Sequence, residues 1–158
     1  MAESELIATR ADTLITKYLA GAVAIGLIPL PLVDLAALAG LQLKLLHSLA
    51  RLYGVEFSEQ LGKAAIAALL GGGIPVSLST RLSSFAKGLP VYGWTVGALG
   101  TALFGGASTY AVGKVFVQHF ESGNTLLNFD PEQMKAYYAQ QLEQGKEAVR
   151  KSFAGIKP

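Results

Sequence analysis

The stretch GLPVYGWTVGALGTALFGGASTYAVG, Gly88 to Gly113, carries no charged residue and repeats a small residue at every fourth position: Gly93, Gly97, Thr101, Gly105, Thr109 and Gly113. On a helix those positions form one slowly winding ridge against which another backbone can approach closely. Glycine costs a helix roughly 1 kcal/mol per position relative to alanine, so this many glycines in one helix call for close packing in return. The stretch exceeds the ~20 apolar residues that a bilayer crossing requires, with Tyr92 and Trp94 near one end and Tyr110 near the other. A membrane setting is therefore expected, with a buried helix of a soluble oligomer as the competing reading.

The whole chain has the same bias. Its 158 residues fit one domain, 51% are hydrophobic and only 15% are charged, with a mean hydropathy of +0.41. A typical soluble domain is about 25% charged, so too few charges remain to cover an ordinary surface. The net charge of +2 is small and basic residues alternate with acidic ones, which argues against nucleic acid as a partner. There is no cysteine, which excludes disulfides, thiolate catalysis and cysteine-ligated metal. The first residues carry Glu3 and Glu5 and lack the basic start and short apolar run of a secretory signal.

Working outward from the ridge, all-α architecture follows, since no useful strand alternation occurs. Glu3 to Ile28 reads as a helix with apolar positions Leu6, Leu14, Tyr18, Val23 and Ile25, and it loses its charges after Lys17. Pro29 and Pro31 break it into a hairpin, and the second leg continues to Tyr53, with Gly54 as its C-terminal cap. Each apolar leg, about 11 or 12 residues, rises only ~16–18 Å and is too short to cross ~30 Å of hydrocarbon. Ser58 is placed to cap a third helix, which Gly72 and Pro75 break into a second hairpin, and Pro90 precedes the ridge helix. That helix should stop near Ser122, Gly123 and Asn124. Asp130-Pro131-Glu132-Gln133 then starts an amphipathic helix presenting Met134, Tyr138, Leu142, Val149 and Phe153 on one face. Residues 1–123 form an apolar helical unit, and residues 124–158 a linker and terminal helix packed on it.

Few residues suggest chemistry. Gly62-Lys63 and Gly113-Lys114 fail as phosphate-binding loops, because Phe57 and Ser108 stand where the first glycine belongs and Ala64 and Val115 where Ser or Thr would hold magnesium. His47 and His119 lack acidic or histidine partners at helical spacing, so no metal and no cofactor is expected. Asp34 stands in an otherwise uncharged region as a candidate buried polar site. It serves either the free amides of a helix start or a proton- or ion-handling role. No catalytic constellation is present, and an enzyme is not expected.

Two blocks carry a family resemblance: Ile28-Pro29-Leu30-Pro31-Leu32-Val33-Asp34 leading through Gln42 to Leu49-Ala50-Arg51-Leu52-Tyr53-Gly54, and Lys87-Gly88-Leu89-Pro90 leading through Gly93, Gly97, Thr101, Gly105 and Gly113. From about Lys17 to Gly123 the chain resembles the YcjF-type bacterial domain of unknown function, found alone or attached to small GTPase domains. The resemblance implies a membrane-associated helical domain that often works beside a small GTPase, which here would be a separate partner. The expected location is the bacterial inner membrane, with charged loops and C-terminus toward the cytoplasm, as the positive-inside tendency prefers. It supplies no catalytic residues. The reading is a non-enzymatic membrane-associated scaffold or interaction module, in contact with lipid and self-associating as a homo-oligomer. An oligomeric pore or transport protein and a soluble all-α homo-oligomer stand as alternatives.

Overall fold

The computed structural model describes residues 2–27, 31–71 and 91–154. They form five α-helices: α1 (Ala2–Gly26), α2 (Pro31–Leu52), α3 (Glu59–Gly71), α4 (Val91–Glu121) and α5 (Pro131–Ala154), with a single 3-10 turn at Leu126–Asn128. The fold is all-helical, and no strand occurs among the described residues.

Local chemistry fixes the helix ends. Gly54 and Gly123 adopt left-handed backbone, with φ of 69° and 84°. In each case two hydrogen bonds close the helix behind the glycine, Val55 N–H to Ala50 O and Gly54 N–H to Arg51 O after α2, Asn124 N–H to His119 O and Gly123 N–H to Phe120 O after α4. Asp130 accepts from Glu132 N–H at 3.0 Å ahead of Pro131, whose missing N–H costs nothing at the first helical position. Thr125 and Asn128 cap the 3-10 turn reciprocally.

The ridge helix α4 is the axis of the bundle. Its residues Ala102, Ala107, Ser108, Thr109, Ala111, Val112, Val115 and Phe116 are fully buried. α1 and α5 run antiparallel to it and α2 parallel: between Gly105 and Gly113 the neighbours pass from Ala22 back to Ile15 on α1 and from Leu38 on to Leu45 on α2. α3 folds back against α2. Toward the end formed by Leu52, Glu121 and Pro131 the core is aromatic: Phe116 packs on Phe129 at 4.8 Å and on Phe120 at 5.9 Å between ring centres.

Two sequence expectations change here. α1 buries Ala11, Ile15, Leu19, Ala22 and Gly26, while Leu6 is exposed and Leu14, Tyr18, Val23 and Ile25 are half-buried. Small residues at positions 11, 22 and 26 let α1 approach α4, so the true inner face is less hydrophobic than its neighbours. The length and composition of the ridge stretch also predict a bilayer crossing, whereas among the described residues no helix is long and apolar enough to cross a membrane. Glycine, serine and threonine lower its hydropathy, and from Ala102 to Phe116 most of its side chains are enclosed by the neighbouring helices.

Candidate functional site

Three ridge positions, Gly105, Thr109 and Gly113, meet other helices of the same chain. A β-carbon at Gly105 would lie 3.4 Å from Ala22 O and 3.6 Å from Leu38, and one at Gly113 would lie 2.7 Å from Ile15 and 3.3 Å from Leu45. Thr109, between them, is buried against α2. Gly106 is the tightest point of the helix, with Val23 of α1 at 2.7 Å and Val149 of α5 at 2.6 Å from the place of its absent β-carbon. Gly93, Gly97 and Thr101 lie on the first turns of α4, where only the backbone is described. Pro31 opens α2 and Asp34 follows in its first turn, its side chain outside the described residues, as are Pro29, Gly72, Pro75, Pro90 and the second hairpin.

A buried polar centre joins α2 to α4. Gln42 is fully buried, and its Nε2 donates to Ser108 Oγ at 3.0 Å and Thr109 Oγ1 at 3.1 Å. Both hydroxyls in turn donate to Gly105 O, at 3.2 and 2.7 Å. Every hydroxyl proton and both amide protons therefore have places to go, but Gln42 Oε1 is buried with no partner. An unpaired buried acceptor of this kind costs about 1–3 kcal/mol. In return the amide fixes the register of α2 on α4.

The third feature is the level at which charge stops. With Ile15 opposite Gly113 and Ala22 opposite Gly105, Lys17 of α1 comes level with Ala111. Leu38 opposite Gly105 and Gln42 opposite Thr109 bring Lys44 of α2 to the same level. Gly62 lies against Leu43 and Leu46, which sets Lys63 of α3 beside Lys44 in height. Lys114 of α4 is within one turn, ~5 Å along the axis. These four lysines are the last charges of their helices toward the end formed by Gly26, Gly71 and Val91, apart from Asp34. Beyond them the exposed residues include Ala20, Ala24, Leu27, Ala36, Ala39 and Phe104. α5 differs, keeping Glu147, Arg150 and Lys151 exposed near that end. Among the described residues the surface beyond the lysines, Asp34 apart, is consequently charge-free on one side only.

Below the lysine level polar ties join α1 to α4 and the end of α2 to α4, and one lies within α3. Lys114 Nζ meets Asp12 Oδ1 at 2.7 Å, Lys63 pairs with Glu59 at 2.9 Å, and Tyr53 Oη donates to Glu121 at 2.9 Å. Burial raises the pKa of Tyr138 from 10.0 to about 12, and raises that of Tyr137 as well. Burial, reinforced by the Glu121 hydrogen bond, raises Tyr53, whereas for Lys114 burial alone would lower the value and the Asp12 bond and charge reverse it to a net rise. All four folded-state values thus lie above their unfolded ones, so their contribution to stability is complete below the unfolded pKa and is lost as pH rises through the folded one. Far-UV circular dichroism should stay constant up to about pH 10 and collapse on the way to about pH 12. A signal unchanged at the upper limit would show that Tyr138 is solvated.

His47 is exposed and stacks on Phe57 at 4.3 Å, and His119 Nε2 lies 2.7 Å from Thr125 O, so both rings have structural partners. Among the described residues no group of His, Asp or Glu is arranged to hold a metal. Sequence reasoning missed Gly145, where a β-carbon would lie 2.7 Å from Ala107 O, and it passed over Gln42 as a site. A lone glycine inside an amphipathic helix was the available signal for Gly145.

Residues 4–147 match a family model described as a domain of unknown function, DUF697. Over 142 residues the chain is 39% identical to the protein called magnetosome membrane protein 22 of Magnetospirillum gryphiswaldense, which covers 89% of this chain and 73% of that protein. No solved structure matches.

Proposed function

The chain belongs to the DUF697 family, and from that premise we propose that it is a non-enzymatic, membrane-associated helical scaffold whose charge-free end enters one leaflet as far as its four lysines. The observation that carries the reading is the common height of Lys17, Lys44, Lys63 and Lys114, each on a different helix and each, apart from Asp34 of α2, the last charge of that helix toward this end. Lysines at the edge of an apolar surface reach anionic headgroups while their stems cover hydrocarbon. The counter-ions Asp12 and Glu59 lie on the polar side of that level, as this placement requires. The charged outer face of α5 suits a slanted, one-sided insertion. A relative named as a magnetosome membrane protein supports membrane association in kind.

Of the finer parts of the reading, the GTPase link rests on the resemblance to the YcjF-type domain, self-association on the low share of charged residues, and sidedness on the positive-inside tendency. The module self-associates, sits at the bacterial inner membrane with its charged end toward the cytoplasm, and works beside a separate small GTPase.

Flotation with vesicles at neutral pH tests the membrane reading, since alkaline extraction falls in the range where the tyrosines and Lys114 destabilise the fold. The full chain should float with vesicles rich in phosphatidylglycerol and much less with phosphatidylcholine alone. Each lysine near an anionic surface contributes about 1 kcal/mol, so the triple variant Lys17→Glu, Lys44→Glu, Lys63→Glu should bind at least about a hundredfold more weakly. If the native chain stays unbound as a monodisperse particle without detergent, the soluble homo-oligomer takes its place.

A further inference from the structure

The outer face of α1 is built for a partner. Leu6, Thr13, Ala20 and Leu27 recur at seven-residue intervals, with Thr9 and Thr16 between them, and all six are exposed, Leu6 by 51% and Leu27 by 44%. That is the a/d seam of a two-stranded coiled coil lying on the surface of the bundle. The threonines do not need water: their hydroxyls donate at 2.9 Å to Glu5 O, Thr9 O and Asp12 O of α1 itself, for Thr9, Thr13 and Thr16 respectively. With their hydroxyls folded back they present short apolar surface, and with Asp12 and Lys17 they line a shallow groove.

Charge decides the occupant. Glu5 and Asp12 flank the seam on one side and Arg10 and Lys17 on the other. Each base lies five residues after an acid, the offset at which the g position of one helix meets the e position of a parallel partner. Two copies of α1 running in the same direction bring Glu5 to Arg10 of the second copy and Asp12 to Lys17 of the second copy, each twice by symmetry. An antiparallel pairing would set acid against acid and base against base. Among the described residues Glu5, Arg10 and Lys17 form no ion pair within the chain, and Asp12 uses only Oδ1 on Lys114.

We propose that two copies of this chain pair in parallel through the outer face of α1, with Leu6, Thr13, Ala20 and Leu27 on the seam and Glu5–Arg10 and Asp12–Lys17 pairs across it. The inference rests on the self-association proposed above and names its surface. A two-fold axis along α1 presents both charge-free ends to the same leaflet, and confinement to a membrane raises the effective concentration at which so narrow a seam must work. Lys17 then turns to the partner copy while Lys44 and Lys63 remain for headgroups.

The chain has no cysteine, so single-cysteine variants report cleanly. In the full chain on phosphatidylglycerol vesicles, Thr13→Cys and Ala20→Cys should each oxidise to a disulfide-linked dimer, and Glu132→Cys, on α5, should not. Glu5→Arg or Arg10→Glu alone should weaken dimerisation roughly tenfold, and Glu5→Arg with Arg10→Glu should restore it, because the swap re-creates the pair. Matching thermal melts for these surface variants separate dimerisation from folding. Oligomers that form without the Thr13→Cys cross-link, or a cross-link on mixing Leu6→Cys with Leu27→Cys protein, overturn the parallel α1 seam while leaving self-association intact. A monomer on vesicles and in solution overturns both.

Discussion

Replacing Gly145 by alanine should destabilise the fold by about 2 kcal/mol, net of the ~1 kcal/mol by which alanine favours a helix, and replacement by leucine should prevent folding. The added methyl has nowhere to go. Its carbon would stand 2.7 Å from Ala107 O, 2.9 Å from Ala107 Cα and 3.2 Å from Ala107 C, all backbone atoms of the central helix. A flexible side chain could rotate away, but a helix backbone can yield only by moving α5 off α4. That would strip cover from Val149, which fills the space beside Gly106. Gly40 is the control. It is exposed with nothing within 4 Å of its missing β-carbon, so Gly40→Ala should stabilise the chain by up to about 1 kcal/mol. Urea unfolding of both variants reads the difference, and a harmless Gly145→Ala would mean that α4 and α5 stand farther apart.

The same two glycines show how far the sequence could be read. The ridge from Gly93 to Gly113 announces close packing because small residues every fourth position are a pattern. Gly145 is a single glycine among charged neighbours and carries no period. The inner face of α1 was hidden for a related reason. Ala11, Ala22 and Gly26 bury well because they are small, and hydrophobicity alone favours the larger Leu6 and Val23. Helix ends were legible, because Gly54, Ser58 and Asp130 act on backbone atoms within a few residues of themselves. Ser58 Oγ stands 3.4 Å from Leu61 N, and Asp130 caps Glu132 N–H. The lysine level was not legible, because it depends on the register of three helices against α4. Lys17, Lys44, Lys63 and Lys114 are scattered along the chain and become neighbours in height only once Gly113, Thr109 and Gly62 have been placed.

Enclosure of α4 also changes the weight of the uncharged stretch as a functional signal. The described part of the ridge, Gly105, Thr109 and Gly113, meets Ala22, Ile15, Leu38, Leu45 and Gln42 of its own chain and is occupied there. The membrane reading then moves from the length of one helix to the outward faces of α1, α2 and α4 beyond the lysines. Those faces are apolar through alanines and a few large residues such as Leu27 and Phe104, a composition suited to shallow contact with one leaflet.

Gln42→Glu should cost about 3–4 kcal/mol at neutral pH, with almost no change in shape. The native amide donates to two hydroxyls that are themselves committed to Gly105 O. A neutral carboxylic acid keeps one donor, so below about pH 4 the loss should be near 1 kcal/mol. An ionised carboxylate would be fully buried between α2 and α4 without a cation, which holds its folded pKa above the unfolded value of about 4.3. The sign follows: stability is complete below the unfolded pKa and falls by about 1.4 kcal/mol per pH unit above it, until the folded pKa is passed. Gln42→Leu should behave oppositely. It removes the unpartnered Oε1 and leaves both hydroxyls on Gly105 O, so the change should be within about 1 kcal/mol of neutral and independent of pH. Chemical unfolding of the two variants between pH 4 and 8 distinguishes a dry centre from a wet one. If the glutamate variant is tolerated at neutral pH without a slope, water reaches position 42 along the axis of the bundle, Oε1 is solvated, and the pore reading regains its physical basis. If the slope appears and leucine is accepted, the centre is a sealed register pin, and transport through the middle of this bundle is excluded.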